Sequence, residues 1–273
     1  MTQSFVTTDG TRLAYDVAGR GLPVIALAGL TRNMADFDHI APHLTDVQLI
    51  RMDYRGRGQS DWAAADTYTI PHETADVLAL MDHLALPAAA ILGTSRGGLI
   101  GMGMAAYYPD RVLGLCLNDI GPVISVEGLK AIQSYVGHRP KQKTYAEAAK
   151  FRADFMTGFA NVPYDRWLSE VRAHYIETQD GLHLRYDPAL RHQFANLDEA
   201  LPDLWPLFDL AAHKPLAALR GANSDLLSAE VFAQMQRRAP DMIARTVPDR
   251  GHVPFLDEPM SVEVIRAWIG LLA

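Results

Sequence analysis

The chain has 273 residues, of which 49% are hydrophobic and 21% charged, a composition typical of a folded globular protein that excludes extensive disorder. Its 25 basic and 32 acidic side chains give a formal net charge of −7, so no positive field favours a nucleic acid or an anionic membrane surface as a partner. The single Cys116 allows neither an intramolecular disulfide nor a multi-cysteine metal site, and the first residues lack a secretory pattern, so we expect a cytoplasmic protein.

The elements predicted in chain order alternate between strands and helices. Residues 5–8 and 13–17, joined through Asp9-Gly10, predict an antiparallel hairpin, because Asp-Gly tolerates the positive φ of a tight turn. Short apolar runs that are typical of buried parallel strands follow at 24–27, 47–52, 89–92, 112–117, 215–219 and 242–247. Helical spacing is clearest at 71–84. The alternation predicts an α/β fold: a mostly parallel eight-stranded sheet with helices on both faces.

The strand rhythm stops after the run 112–117 and resumes only at Pro215. The intervening residues show helical patterns, such as 145–158 and 165–178, but no convincing core strand. An inserted helical cap is the economical explanation, with a core formed by 1–121 and 211–273 and a cap, or lid, formed by 122–210. Such a cap would lie over the strand ends, where α/β folds bind ligands.

A Gly-x-Ser-x-Gly pattern directly follows the run 89–92. A nucleophilic serine on a sharp turn between a strand and a helix leaves little room for side chains beside it, which accounts for Gly93 and Gly97. The helix that follows would let the backbone N–H of Arg96 donate to a developing oxyanion. The alternative is a chance pattern in which Ser95 only caps a helix, and the strand before it disfavours that interpretation. Ser95 is therefore the candidate nucleophile.

Three segments in this order resemble the α/β-hydrolase superfamily, specifically its cap-bearing esterase and lactonase branch. Residues 53–60, Asp-Tyr-Arg-Gly-Arg-Gly-Gln-Ser, resemble the turn after the family's fourth strand, and 93–97 match its nucleophile elbow. Residues 249–252, Asp-Arg-Gly-His, resemble the late loop that carries the catalytic histidine. The resemblance covers nearly the whole chain and implies a hydrolase, but it identifies no substrate.

A serine hydroxyl needs a neighbouring base at neutral pH, and imidazole suits this role because its pKa lies near working pH. His252 follows the last predicted strand, where this family carries its base. The acid that orients the base should follow the preceding strand, which favours Asp225. Asp119 is the alternative acid, because it ends the run 112–117 and some family members carry their acid there; its other role would be to cap a turn.

The second oxyanion donor should come from the loop after the third strand, and we assign it to the backbone N–H of Leu30. The family usually has His-Gly in this loop, whereas this chain has Ala28-Gly29. The histidine that normally braces the loop is therefore missing, which bears on the loop's rigidity more than on the existence of the oxyanion hole.

Arg96 stands where Met, Gln or His is more usual in relatives. Its guanidinium has two alternative roles: it attracts a substrate carboxylate, as would suit enol-lactonases and carbon–carbon hydrolases, or it forms a structural salt bridge. The sequence does not separate these alternatives, so Arg96 is a candidate for substrate binding as well as for the oxyanion hole.

A serine at the elbow disfavours the dehalogenases and epoxide hydrolases of the superfamily, which use aspartate there. We therefore expect cleavage of a small carboxylic ester or lactone through an acyl-enzyme on Ser95. The alternatives are a carbon–carbon hydrolase of a ring-cleavage diketone, an enol-lactonase of aromatic degradation and a non-catalytic small-molecule receptor. We expect no cofactor, no metal, no nucleic-acid partner and no membrane association, and a chain that acts on a small molecule as a monomer or homodimer.

Overall fold

A computed structural model describes residues 1–194 and 201–272. Its strands are β1 (Gln3–Val6), β2 (Arg12–Ala18), β3 (Pro23–Leu27), β4 (Gln48–Met52), β5 (Ala89–Thr94), β6 (Val112–Asn118), β7 (Tyr175–Thr178), β8 (Gly181–Leu184), β9 (Leu216–Gly221) and β10 (Ile243–Val247). Eight of them form one sheet in the order β1-β2-β4-β3-β5-β6-β9-β10. β2 pairs antiparallel with β1 and β4, and the remaining pairs are parallel. The predicted mostly parallel, eight-stranded sheet is confirmed.

The helices are α1 (Ile70–His83), α2 (Arg96–Tyr107), α3 (Val126–Gln133), α4 (Tyr145–Phe155), α5 (Tyr164–His174), α6 (Trp205–Ala211), α7 (Ala229–Arg238) and α8 (Pro259–Gly270). None of the described helices is both long and apolar enough to cross a membrane. The N-terminus of α1 is set by Thr69, whose hydroxyl accepts a hydrogen bond from the N–H of His72, and by Pro71, which suits the first turn.

Both faces of the sheet are covered, because successive side chains of a strand point to opposite faces. In β3, Ile25 and Leu27 pack in one buried cluster with side chains of α1, α2, α6 and α7, whereas Val24 and Ala26 pack in a second cluster with side chains of α8. The central strands are apolar on both faces for this reason, which is why their sequences are continuous apolar runs.

The segment between β6 and β9 contains α3, α4, α5, the antiparallel hairpin β7-β8 and α6. The helix predicted over 165–178 is wrong at its end, because α5 stops at His174 and β7 begins at Tyr175. Phe208 and Ala211 of α6 are buried in the core cluster, so α6 packs with the core although the predicted cap boundary of 122–210 includes most of it. Residues 195–200 of the predicted cap, and Ala273 of the predicted core, lie outside the described residues.

Candidate active site

Ser95 lies on a tight turn between β5 and α2, with φ +50° and ψ −115°. This positive φ is unusual for a residue with a side chain and turns the serine out of the strand. A Cβ on Gly97 would lie 2.1 Å from the carbonyl oxygen of Leu27, and one on Gly93 would lie 2.6 Å from the carbonyl carbon of Gly97. The turn therefore requires glycine at both positions, as the motif predicts.

His252 lies between Ser95 and a buried carboxylate. Its Nε2 is 3.0 Å from Ser95 Oγ, and its Nδ1 is 2.7 Å from Asp119 Oδ2. The Asp119 side chain is 0% exposed and also accepts hydrogen bonds from the Gly221 N–H at 2.7 Å and from the Ser224 hydroxyl at 2.6 Å. An ionised carboxylate only accepts, so the imidazole proton lies on Nδ1 and the Nε2 lone pair faces the serine. The arrangement can activate a serine hydroxyl.

The structure corrects the preferred acid, because the carboxylate beside His252 belongs to the alternative residue Asp119 and not to Asp225. Asp119 directly follows β6, its N–H donates to the Leu219 carbonyl of the neighbouring β9, and its φ of +56° turns the side chain toward the end of β9. In the loop after β9, Ser224 makes the contact to Asp119, and the next residue, Asp225, is exposed.

The two predicted oxyanion donors lie in peptides that flank Ser95. Arg96 directly follows the serine, and Leu30 follows Gly29, where an added Cβ would lie 3.8 Å from Ser95 Cβ. Neither backbone N–H donates to any of the described residues, so neither is occupied by a partner within that part of the chain. An oxyanion hole needs such donors, fixed before the reaction and free of internal partners.

Buried charges brace these two peptides. Arg57 donates its Nε–H to the Leu30 carbonyl at 2.8 Å and pairs with Glu73 at 2.7 Å, and both charged side chains are 0% exposed. Arg96 Nε lies 2.5 Å from the same Glu73 carboxylate, and its Nη2 donates to the Tyr68 carbonyl at 2.9 Å. Glu73 thus links the loop of one donor to the residue that supplies the other.

The side chain of Arg96 forms the salt bridge that was one of its two alternative roles, and this geometry does not support its use as a substrate anchor. Its guanidinium is only 11% exposed and its carboxylate partner comes from the protein. Burial alone would raise the pKa of Glu73, but Arg57 and Arg96 outweigh that effect and lower the pKa. The carboxylate stays ionised between two cations.

Arg57 and Glu73 were missed at the sequence level. Arg57 lies inside the 53–60 motif, which predicts a turn but gives no role to this arginine. Its hydrogen bond to the Leu30 carbonyl holds the loop that the absent histidine would otherwise brace. Glu73 lies in the first turn of α1, where an acidic residue ordinarily reflects the helix dipole. Only the close approach of α1 to the elbow shows that it pairs with two arginines.

A family model described as alpha/beta hydrolase fold matches residues 23–259. The chain belongs to the α/β-hydrolase fold family. This α/β hydrolase is 33% identical over 88% of its length to a 3-hydroxybutyrate-oligomer hydrolase of Cupriavidus necator, with 86% of that protein covered. It is 28% identical over 86% of its length to a 2-(acetamidomethylene)succinate hydrolase of Mesorhizobium japonicum, with 82% covered.

A crystal structure of an α/β hydrolase from Novosphingobium aromaticivorans superposes on this α/β hydrolase with a TM-score of 0.92 and 34% identity. The superposition covers 99% of the present chain and 98% of the other. The resemblance inferred from the three motifs is thus confirmed, and so is the prediction that the protein is a hydrolase.

Proposed function

We propose that this α/β hydrolase cleaves a small carboxylic ester or lactone through an acyl-enzyme on Ser95, with His252 as general base and acid and Asp119 as the orienting acid. The observation that carries the proposal is the continuous line of contacts from Ser95 Oγ through the imidazole to the buried carboxylate, at 3.0 and 2.7 Å. Hydroxy acids join to one another through ester bonds, so the name of the Cupriavidus relative fits this substrate class.

In the first half of the reaction, Ser95 Oγ attacks the ester carbonyl carbon while its proton passes to His252 Nε2. The negative oxygen of the tetrahedral intermediate accepts hydrogen bonds from the N–H groups of Leu30 and Arg96. Asp119 stabilises the imidazolium and does not itself take the proton. Collapse breaks the bond to the alcohol oxygen, which receives the proton from His252 and leaves.

In the second half, a water molecule gives a proton to His252 Nε2 and attacks the acyl carbon of the ester on Ser95. The same oxyanion donors hold the second intermediate. Its collapse returns the proton to Ser95 Oγ and releases the carboxylic acid. Every proton transfer in this cycle uses a side chain of the protein or the attacking water.

The cytoplasmic location of the protein and its state as a monomer or homodimer stay predictions.

The test combines a serine-reactive fluorophosphonate probe with turnover of short esters and lactones. We expect labelling and turnover in the wild type, and loss of both in Ser95→Ala. Ser134→Ala is the matched control, because that serine is exposed at the end of α3 and contacts none of the three residues. Labelling by the probe that persists in Ser95→Ala would refute the proposal.

The same panel separates the other functions. Rapid turnover of a ring-cleavage diketone without ester hydrolysis would identify a carbon–carbon hydrolase. Ligand binding with no turnover of any ester, lactone or diketone would identify a receptor.

A further inference from the structure

A charged cluster joins the loop after β3 to the helices α4 and α5. It consists of Arg32, Asp36, Arg152, Arg166, Glu170 and His174. Arg32 connects the cluster to the candidate active site, because an added Cβ on Gly29 would lie 3.2 Å from Arg32 Cγ and 3.8 Å from Ser95 Cβ. The cluster therefore begins beside the candidate nucleophile and extends into the segment between β6 and β9.

His174 is the buried centre of this cluster, and its contacts fix the position of its proton. Its Nε2 lies 2.8 Å from Asp36 Oδ1 and 2.9 Å from Arg32 Nη1, and its Nδ1 lies 3.2 Å from both Nη1 and Nη2 of Arg152. A guanidinium only donates, and Nδ1 faces only the guanidinium of Arg152, so Nδ1 accepts. The ring proton of the neutral imidazole is then on Nε2, which donates to Asp36 and does not accept from Arg32. Burial, reinforced by the charge of Arg32, lowers the pKa of His174 well below its ordinary value, which keeps the ring neutral.

Arg152 differs from the other two arginines of the cluster in the partner of its guanidinium. Arg32 pairs with Glu170 at 2.9 Å, and Arg166 pairs with Asp257 at 2.8 Å. Within residues 1–194 and 201–272, no carboxylate lies within 4.0 Å of Arg152, whose direct hydrogen-bond partner is the neutral imidazole. A half-buried guanidinium with unused N–H groups favours a bidentate anion that brings both charge and acceptors.

The Arg152 side chain is half-buried and so keeps part of its surface in contact with solvent. The Arg32 side chain, which contacts the same imidazole ring as Arg152, is 22% exposed. Phe155, three residues after Arg152 on α4 and 66% exposed, adds apolar surface on the same side of the helix.

We propose that Arg152 forms a subsite for a carboxylate at the far end of the substrate. Building on the proposed function, this makes the substrate an ester with a free acid group, such as a monoester of a dicarboxylic acid or an oligomer of a hydroxy acid. The hydrogen bonds from His174 to Asp36 and from Arg152 to His174 hold the guanidinium in place before the substrate binds.

The test compares ethyl hydrogen adipate with ethyl hexanoate, which share a six-carbon acyl chain and differ in its end, a carboxylate or a methyl group. Arg152→Gln should lower the ratio of their kcat/KM values, acid over neutral, by about 10- to 100-fold, as expected for hydrogen bonds to a charged group. Lys150→Gln is the matched control, because it removes a positive charge from the same helix at a side chain that is 74% exposed, and it should leave the ratio unchanged.

A ratio in Arg152→Gln within about threefold of the wild-type value would overturn the subsite. If that variant does not fold, the test uses the wild type and measures how adipate and hexanamide inhibit the hydrolysis of ethyl hexanoate. Competitive inhibition by adipate that is about tenfold stronger than inhibition by hexanamide supports the subsite, and equal inhibition by the two compounds overturns it. Turnover of ethyl hexanoate without any preference for the acid ester refutes the subsite alone, whereas absence of turnover and of probe labelling refutes the proposed function.

Discussion

Replacing Asp119 with asparagine tests the corrected acid directly. The carboxylate accepts hydrogen bonds from His252 Nδ1–H, from the Gly221 N–H and from the Ser224 hydroxyl. In Asp119→Asn, the side-chain amide can keep its carbonyl oxygen on Gly221, and its NH₂ group then faces His252. Because an NH₂ group only donates, the ring proton would move to Nε2, and the lone pair that accepts the proton of Ser95 would be lost.

The expected loss follows from that change of tautomer. A wrong tautomer in a serine hydrolase triad lowers kcat by about 10⁴, which corresponds to about 5.4 kcal/mol of transition-state stabilisation. KM should change little, since the carboxylate is fully buried behind His252 and touches no substrate. Steady-state hydrolysis of an activated ester measures both constants, and thermal unfolding checks that the substitution leaves the fold intact.

Asp225→Asn is the matched variant, because it removes the same charge from the loop after β9 at an exposed side chain. We expect its kcat to stay within about threefold of the wild type, as for most exposed substitutions. A larger loss in Asp225→Asn than in Asp119→Asn, or a loss below about tenfold in Asp119→Asn, would refute the assignment and return Asp225 to the role that the sequence favoured.

Four further substitutions test the scaffold of the site. Gly97→Ala should abolish folding or activity, because its Cβ would lie 2.1 Å from the Leu27 carbonyl oxygen. Gly103→Ala on the same helix places its Cβ in open space, so it should raise the free energy of unfolding, measured by urea titration, by about 1 kcal/mol. Glu73→Gln leaves two guanidiniums without their carboxylate and should lower that free energy by about 3 to 5 kcal/mol; a value below about 1 kcal/mol would contradict a brace. His174 is held neutral in the folded protein but binds a proton below pH about 6.5 in the unfolded chain. As the pH falls below that value, the free energy of unfolding of the wild type should therefore drop by about 1.4 kcal/mol per pH unit relative to that of His174→Gln. Parallel plots of this free energy against pH for the two proteins would contradict the prediction.

The sheet could be predicted from the sequence because its central strands are buried on both faces. The runs 24–27 and 47–52 lie within one residue of β3 (Pro23–Leu27) and β4 (Gln48–Met52) at each end. The hairpin β7-β8 carries no such signal, since Ile176, Glu177 and Thr178 of β7 are all exposed and the helical pattern of α5 runs up to it. A strand that buries little apolar surface leaves no periodicity by which to recognise it.

The acid could not be chosen from the sequence because Asn118 of β6 pairs with Leu219 of β9, so the carboxyl ends of the two strands lie side by side. A loop from either strand can carry a carboxylate to a histidine after β10. What decides is local geometry: Asp119 follows its strand directly in a left-handed conformation, whereas Asp225 comes four residues after β9 ends at Gly221. The left-handed conformation of Asp119 does not show in composition or spacing.

The two arginines considered for substrate binding differ for a similar reason. Next to the nucleophile, Arg96 has the better position in the sequence, but folding supplies it with Glu73 from 23 residues away and so satisfies its charge within the protein. Arg152 has no motif around it, yet among the described residues its direct hydrogen-bond partner is the uncharged ring of His174. Whether a guanidinium recognises a substrate depends on the charge it still has to balance after folding, which is why we propose anion recognition for Arg152 and a structural role for Arg96.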